Sequence, residues 1–348
     1  MDNIRSLTAL RAVAASTVVY FHIMSPTGNA FGEFAVDIFF VISGFVIAMV
    51  VNTGTQSPSF FLASRIVRIA PLYWFLTLLV FVIAIVRPNL LNSPSGGLPD
   101  LLMSLFFIPY KKPSGLVHPL LFVGWTLNYE MFFYVIASAA LLAKNNRTLI
   151  ISGLVFVIFE LCRASADSTT ATAFYSSERM LEFVIGMFAW EFFRRGYKVN
   201  PIIAAATIIA SYSLMAYIEW SHAPFSPIVR NGIPSFIIVV LATSLESWFS
   251  NGRLAKLVIF VGDASYATYL SHPYVVEGLR KVFPIIFDGM TITSAAGATF
   301  TFVFALGAGA ALYVFVDKPV HAAAKRSVRR WFPDRKPARP ATPMGAVD

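Results

Sequence analysis

Apolar residues fill long uninterrupted runs along this chain, and each run is bounded by proline, glycine, asparagine or charged residues. A transmembrane helix needs about 20 apolar residues, so these runs predict membrane spans rather than helices of a soluble core. The predicted spans cover residues 7–24, 34–52, 69–87, 121–143, 148–162, 178–194, 201–219, 232–249, 257–276 and 293–316. The pattern therefore predicts an all-α fold, a polytopic bundle of about ten transmembrane helices.

One further apolar segment, residues 98–110, is too short to span a bilayer. Lys111 and Lys112 follow it directly, and we interpret it as an interfacial or re-entrant piece. Near the start of the third span stands Pro71. Proline is favoured as the first residue of a helix because the N–H it lacks would have no partner there. Pro71 is therefore predicted to be the first helical residue of that span.

Composition supports a membrane protein. Of the 348 residues, 57% are hydrophobic and only 13% are charged, and the mean hydropathy is +0.69. Soluble domains carry about 25% charged residues, so an ordinary cytosolic enzyme is excluded. The single cysteine, Cys162, excludes an intramolecular disulfide and a cysteine-based metal site. The first apolar run has no small-residue cleavage site, so no cleavable signal peptide is expected.

The positions of the basic residues predict the orientation. The chain has 27 Lys and Arg against 18 Asp and Glu. With an even number of spans and the N-terminus inside, most of the Lys and Arg residues fall on the inner side. We therefore predict that both termini are cytoplasmic, and that the basic excess reflects topology rather than nucleic-acid binding. Residues 1–320 form one membrane domain, and residues 321–348 are predicted to be a basic, proline-rich, disordered cytoplasmic tail.

Ionisable residues inside predicted spans are functional candidates, because a charge at bilayer depth costs at least about 2.5 kcal/mol. Arg11 and His22 both lie in the first span. Their separation corresponds to about 16 Å and about three helical turns, so they share one face. A histidine is suited to general-base catalysis near neutral pH. The alternative is that Arg11 extends to the inner interface while His22 bonds a carbonyl.

The second and fourth spans add carboxylates. Asp37 has no obvious partner in its own helix, and it is predicted either to orient His22 or to pair with an arginine. Ser43 and the glycine after it allow close helix packing. Glu130 lies in the fourth span. A position at the membrane interface accounts for Trp125 in this segment, but it does not account for a glutamate.

Arg65 and Arg68 stand three residues apart at the inner end of the third span, close to Tyr73. Two arginines on one helical face are suited to phosphate oxygens of a cytosolic donor, and positive-inside anchoring explains them equally well. Three further polar positions in spans six and nine are functional candidates, with salt-bridged packing as their alternative: Glu182, Tyr269 and His272. No pair of histidines has metal-binding spacing on one helix, so no metal site is predicted.

These segments, taken in order, resemble the membrane acyltransferase-3 family from about residue 4 to 320. The motifs are R-x10-H ending at His22, DxFFxxSGF from Asp37, RxxRIxPxYW from Arg65, WTLNYEMFFY from Trp125, a glutamate with FxxG from Glu182, GxxSYxxYLxH ending at His272, and an acidic-x-Pro at Asp317. Members often have Glu at the last motif. Residues 72–78, 107–110 and 124–134 are especially similar to the exopolysaccharide O-acetyltransferase subgroup.

The resemblance implies transfer of an acyl group, usually acetyl, from cytosolic acetyl-CoA to a hydroxyl of an exported or lipid-linked glycan. No permanently bound cofactor is expected. The implied location is the bacterial inner membrane, with the lipid bilayer and a polysaccharide-biosynthesis complex as partners. On this reading His22 is the base, while Arg11, Asp37 and Glu130 tune it. Arg65 and Arg68 bind the phosphates of CoA, and the remaining substrate-binding candidates are Tyr73, Ser43, Trp125, Glu182, Tyr269 and His272.

Two matters stay open at the level of sequence. The acyl group either passes directly to the acceptor or rests first on a protein group. The chain could instead be a transporter or flippase, in which the intramembrane Arg, His and acidic residues form a path, or a non-catalytic scaffold of an export complex. We favour direct transfer, because no serine or cysteine stands in a recognisable activated context.

Overall fold

The computed structural model describes residues 4–28, 30–52, 56–91 and 97–332, and within these ranges every extended element is a helix. The α-helices are α1 Arg5–Met24, α2 Ala35–Asn52, α3 Pro58–Val86, α4 Leu98–Leu105, α5 Trp125–Ala140, α6 Arg147–Ala164, α7 Thr170–Tyr175, α8 Arg179–Arg194, α9 Pro201–Trp220, α10 Ile233–Ala242, α11 Arg253–Asp263, α12 Ser265–Ile286, α13 Ala295–Leu312 and α14 Lys318–Trp331. The all-α prediction is confirmed for this part of the chain.

Each of the ten predicted spans coincides with one or two of these helices. Six helical segments are long and apolar enough to cross a membrane: Arg5–Thr27, Ala35–Asn52, Pro58–Val86, Pro201–Trp220, Ile228–Phe249 and Ala295–Trp331. The segment predicted not to span contains only the short helix α4. It continues as irregular chain, with an isolated bridge between Lys111 and Val117.

Two predicted boundaries are wrong. The third span begins at Pro58, not at Pro71, because Ser57 accepts a hydrogen bond from the Phe60 amide at 3.3 Å and Pro58 occupies the first helical position. Pro71 lies inside α3. The ninth span is two helices that meet at Ala264, and the second continues to Ile286.

The helix α2 lies at the centre of the bundle. It is 72% buried over its apolar window, and it packs against α1, α5, α6, α8 and α10. Gly44 of α2 and Gly186 of α8 make the closest approach. A Cβ atom at Gly44 would collide with the backbone carbonyl of Phe183, and one at Gly186 with that of Val41. Only glycine at both positions permits this backbone contact, which is typical of helix packing through small residues.

Two π turns interrupt the helices, at Ile228–Gly232 before α10 and at Tyr313–Asp317 before α14. A π turn adds a residue to the helical repeat and so redirects the side chains that follow, often at functional sites. Each of these turns contains one buried polar residue, Asn231 or Asp317, which points into the bundle. The start of the predicted tail is helical as far as Trp331, and residues 333–348 lie outside the described residues.

Candidate active site

Helices α1, α2, α3, α5 and α12 surround a cavity of about 160 Å³, which we call the arginine cavity. Its charged lining consists of Arg11 from α1, Arg65 and Arg68 from α3, and Glu130 from α5. Ser43, Tyr266 and Tyr269 also line it. The cavity therefore brings together six of the residues that the sequence singled out, from five different helices: Arg11, Ser43, Arg65, Arg68, Glu130 and Tyr269.

The three guanidinium groups differ in their partners. Arg68 lies 3.4 Å from the carboxylate of Asp317, which the second π turn supplies, and 5.5 Å from the centre of the Tyr266 ring. The guanidinium carbon of Arg65 lies 5.5 Å from the centre of the Phe61 ring. Among the described residues, the buried Nε atoms of Arg11 and Arg65 have no hydrogen-bond partner. Buried donors without partners are costly, so these two groups favour an anionic ligand.

The carboxylate that faces the arginines is held by two hydroxyl groups. Ser43 Oγ donates to Glu130 Oε1 at 3.0 Å, and the Tyr134 hydroxyl donates to the same oxygen. Close helix packing, the sequence interpretation of Ser43, is therefore not its whole role, because its hydroxyl also contacts Glu130. These bonds fix the orientation of the carboxylate at the cavity wall.

A second cavity of about 520 Å³, the histidine cavity, lies at the other ends of α1 and α3. Its polar lining is formed by His22 and Ser25 near the end of α1, by Lys112 and His118 from the chain after α4, and by Tyr274, Glu277, Arg280 and Lys281 of α12. Its apolar lining includes Val80, Ile83, Leu90, Leu91, Leu116 and Phe122. Arg11 and His22 lie on one helix, as predicted, but each faces a different cavity.

His22 makes a pair with His272 of α12. His272 Nε2 lies 3.3 Å from His22 Nδ1, and the two ring centres are 4.8 Å apart. Each Nδ1 also contacts a backbone oxygen one turn earlier, Val18 O at 3.0 Å and Thr268 O at 3.1 Å. A carbonyl oxygen only accepts, so these bonds assign the proton to Nδ1 in both rings. The Nε2 atom of His22 then carries a lone pair, and no described residue bonds to it.

The histidine pair lies between the two cavities. His272 is fully buried and lines neither of them. The ring of Tyr269, which lines the arginine cavity, has its centre 5.9 Å from that of His272. The buried side chain of His272 therefore separates Tyr269 of the arginine cavity from His22 of the histidine cavity. The hydroxyl of Tyr269 is engaged, because it donates to Val123 O at 3.2 Å.

Asp37 does not orient His22, and that alternative is wrong. Its side chain is fully buried and accepts from Arg179 Nε at 3.2 Å and from Asn231 Nδ2 at 2.9 Å. Arg179 also lies 3.4 Å from Glu33. Asp37 therefore pairs with an arginine, the second alternative that the sequence left open, because α8 and the first π turn pack on this end of α2.

Besides His272, three substrate-binding candidates line neither cavity. Glu182 is fully buried beside Asp37, and the Trp125 ring lies 5.1 Å from the guanidinium carbon of Arg179. Tyr73 donates to Ser104 O at 3.0 Å and stacks on Phe107, so it anchors the chain around α4. All three make contacts within the bundle in this structure, and their assignment to substrate binding stays a prediction.

Sequence reasoning missed the basic residues of the histidine cavity. Lys112 follows α4, and Arg280 and Lys281 lie beyond residue 276, where the predicted ninth span ended. The pairing of Glu277 with Arg280, at 2.6 Å, has an i, i+3 spacing that was visible in sequence. Arg280 also donates to the backbone oxygen of His22 at 2.9 Å. No group of three or more potential metal ligands occurs among the described residues.

The fold and this site define a class: a helical membrane protein with intramembrane arginines and a histidine between two cavities. The family model for the acyltransferase domain, acyltransferase-3, matches residues 4–314. The chain belongs to this family and is a membrane acyltransferase.

Three curated relatives are similar over most of the chain. The exopolysaccharide production protein ExoZ of Rhizobium meliloti is 34% identical over 86% of this chain and 93% of its own length. The acyltransferase MdmB of Streptomyces mycarofaciens is 26% identical, over 78% of this chain and 79% of its own. The peptidoglycan O-acetyltransferase OatA of Listeria monocytogenes is 24% identical over 80% of this chain, which spans 50% of that protein. No solved structure matches the chain significantly.

Proposed function

We propose that this protein transfers an acetyl group from cytosolic acetyl-CoA to a hydroxyl of an exported or lipid-linked glycan, with His22 as the general base. The proposal includes about ten spans in the bacterial inner membrane and both termini in the cytoplasm. The arginine cavity then faces the cytoplasm, and the histidine cavity faces outward. The names of ExoZ and OatA, an exopolysaccharide production protein and a peptidoglycan O-acetyltransferase, support a glycan acceptor.

The observation that carries the proposal is the free Nε2 of His22 at the boundary between the two cavities. A sugar hydroxyl is a weak nucleophile and needs a base at hydrogen-bond distance. The proton on Nδ1 is held by Val18 O and lies near His272. The opposite nitrogen is therefore unprotonated and faces the side where an acceptor binds.

The arginine cavity is suited to the donor. Among the described residues, Arg11, Arg65 and Arg68 outnumber the single lining carboxylate, Glu130, and two of the guanidinium groups have buried donors without partners. Arginine binds phosphate through paired N–H donors, so the diphosphate of CoA would satisfy them. The acyl end must then extend toward His22, which lies about 16 Å from Arg11 along α1.

The proposed reaction is a direct transfer. Nε2 of His22 takes the proton of the acceptor hydroxyl while its oxygen attacks the thioester carbon. The tetrahedral intermediate expels the CoA thiolate, and the imidazolium returns the proton to the sulfur. Arg280 fixes the backbone of His22 through its carbonyl, and His272 fixes the ring. Ser43 donates its hydroxyl proton to Glu130, and Tyr269 donates to Val123 O, so neither hydroxyl is free to donate to the developing oxyanion.

The experiment is acetyl transfer by the full-length protein. Membranes of a deletion strain that contain wild-type or variant protein receive radiolabelled acetyl-CoA, and label in extracted glycan is measured together with free CoA thiol. We expect one thiol for each acetyl group transferred in wild type, and neither product with His22→Ala.

His222→Asn is the matched control, since His222 is an exposed loop residue that lines neither cavity. It is expected to retain wild-type transfer. Normal labelling of the glycan by His22→Ala would overturn the assignment of the base. A chain that exports glycan without acetylating it would instead favour the transporter alternative.

A further inference from the structure

The histidine cavity carries more positive charge than the proposed reaction requires. Lys112, Arg280 and Lys281 line it, and among the described residues Glu277 is its only lining carboxylate. Glu277 lies 2.6 Å from Arg280 and 3.8 Å from Lys281, so it is shared by these two cations. Glu277 forms no ion pair with Lys112. A neutral sugar would not compensate this excess of positive charge.

Lys112 is the most informative of the three cations. The residue is only 4% exposed, although lysine is almost never buried without a partner. Among the described residues its ammonium group has no hydrogen-bond partner, and Asp100 of α4 is the carboxylate with an electrostatic effect on it. Asp100 does not line the cavity. Burial lowers the pKa of Lys112 to about 8, so the group is still mostly charged near neutral pH.

The remaining cations also have hydrogen-bond donors that no described residue accepts. Arg280 uses one terminal nitrogen for Glu277 and the other for the His22 carbonyl, and its buried Nε has no partner among the described residues. Lys281 donates to Leu90 O at 2.9 Å with one of its three hydrogens. Charge-assisted bonds to an oxyanion would satisfy these groups in the same cavity that His22 lines.

We propose that the histidine cavity binds an anionic group of the acceptor, through Lys112, Arg280 and Lys281, next to the hydroxyl that is acetylated. This inference rests on the proposed function and names the substrate class of the acceptor site. The anion is a phosphate or a carboxylate. It comes either from the diphosphate of a lipid-linked saccharide, for which the apolar wall of Ile83, Leu91 and Phe122 is suited, or from an acidic sugar of the glycan.

The test is acetylation of the glycan in deletion-strain membranes at saturating acetyl-CoA, where the arginine cavity is occupied by donor. Inorganic pyrophosphate and methyl glucuronide are added separately as competitors. Lys112→Gln combined with Lys281→Gln removes two of the cations without touching His22. Lys111→Gln is the control, because Lys111 is exposed and lines neither cavity.

We expect the double variant to raise the apparent KM for acceptor at least about tenfold, the factor of a lost charge-assisted bond, while the KM for acetyl-CoA stays unchanged. Competition by pyrophosphate alone identifies a lipid diphosphate, and competition by the glucuronide alone identifies an acidic sugar. An unchanged acceptor KM with no competition by either anion overturns this inference and leaves the proposed function standing. Absence of acetylation by wild type overturns the proposed function instead.

Discussion

His22 Nδ1 and His272 Nε2 lie 3.3 Å apart, although the two residues are 250 positions apart in sequence. Both rings are fixed by a hydrogen bond to a carbonyl of their own helix, so the contact joins α1 and α12 in one defined orientation. The centre of the His22 ring also lies 5.6 Å from that of the Phe122 ring. A base held in this way has one nitrogen left for the substrate, which is the condition for general-base catalysis.

His22→Ala should therefore abolish O-acetylation while the protein remains folded and inserted. Loss of a general base typically lowers the rate by a factor of about 100 or more. The measurement is NMR of the O-acetyl methyl signals of cell-surface polysaccharide, in a deletion strain complemented with wild type or variant. Signals that return with His22→Ala would contradict the role of the base.

His272 should act as a positioning residue, since it lines neither cavity. His272→Ala is expected to lower kcat about tenfold or more, with little change in the KM of either substrate, because the base loses its orientation and not its binding site. His272→Gln keeps a hydrogen-bond acceptor near the same place and should restore part of the rate. A purely structural role would instead lower the amount of folded protein for both variants, with no rescue by Gln.

The arginine cavity predicts a separate effect on the donor. Arg65→Gln should raise the KM for acetyl-CoA about tenfold, because it removes a phosphate-binding charge that no described residue pairs with by hydrogen bond. Asp317→Asn should raise it less, since Asp317 only orients Arg68 at 3.4 Å. Asp317→Glu should preserve donor binding, because it keeps a carboxylate beside Arg68.

The control for the donor experiment is Arg253→Gln, an exposed arginine at the start of α11 that lines neither cavity. Its KM for acetyl-CoA should equal that of wild type. If Arg65→Gln leaves the donor dependence unchanged, then Arg65 serves topology rather than substrate binding.

The pH dependence of acceptor binding follows from Lys112. With its pKa lowered by burial to about 8, this lysine is about nine-tenths protonated at pH 7 and about one-tenth at pH 9. The titratable and charged groups around it are Asp100, which favours the protonated form, and the cavity residues His22, His118, Glu277, Arg280 and Lys281. An anionic acceptor should thus bind more weakly as the pH rises through 8.

This change is measured as the acceptor KM at saturating acetyl-CoA between pH 7 and pH 9. Wild type should show a rising KM, and Lys112→Gln should show a high KM that does not rise over this range. Lys111→Gln should behave like wild type. Equal pH profiles for wild type and Lys112→Gln would remove Lys112 from acceptor binding.

Sequence alone predicted much of the fold and singled out the charged residues of the arginine cavity, but it did not predict that they line one cavity apart from His22. Apolar runs in lipid leave the chain little choice but helices, because every backbone polar group must be satisfied internally, so the positions of the helices could be inferred. Arg11, Arg65, Arg68 and Glu130 meet in one cavity because an intramembrane charge is stable only facing other polar groups.

The partners of the buried acids could not be inferred in the same way. Asn231 reaches Asp37, and Asp317 reaches Arg68, because each stands in a π turn that changes the direction of its side chain. Helical periodicity does not predict such a turn. The position of Lys112 could not be inferred either. Sequence places it only at the end of a short apolar segment, and the composition of that segment does not predict that the following loop packs beside α3 and α12.

Asp37 and Arg179 provide the test of a structural role. The carboxylate of Asp37 is fully buried, and Arg179 is its only charged partner among the described residues. Arg179→Gln leaves that carboxylate without compensation, and breaking a buried pair costs about 3–5 kcal/mol. The thermal midpoint of the detergent-purified protein should fall clearly, and adding Asp37→Asn should restore part of it because the neutral side chain no longer needs a cation.

Arg163→Gln is the matched control for this prediction. Arg163 pairs with Glu160 at 2.8 Å, but both side chains are exposed, by 66% and 38%. Such a pair contributes about 0–1 kcal/mol, so the midpoint should hardly change. The kcat of the folded fraction separates the two roles of Asp37. If the double variant with Asp37→Asn retains kcat, Asp37 holds the bundle together; if kcat is lost at a restored midpoint, Asp37 belongs to the chemistry after all.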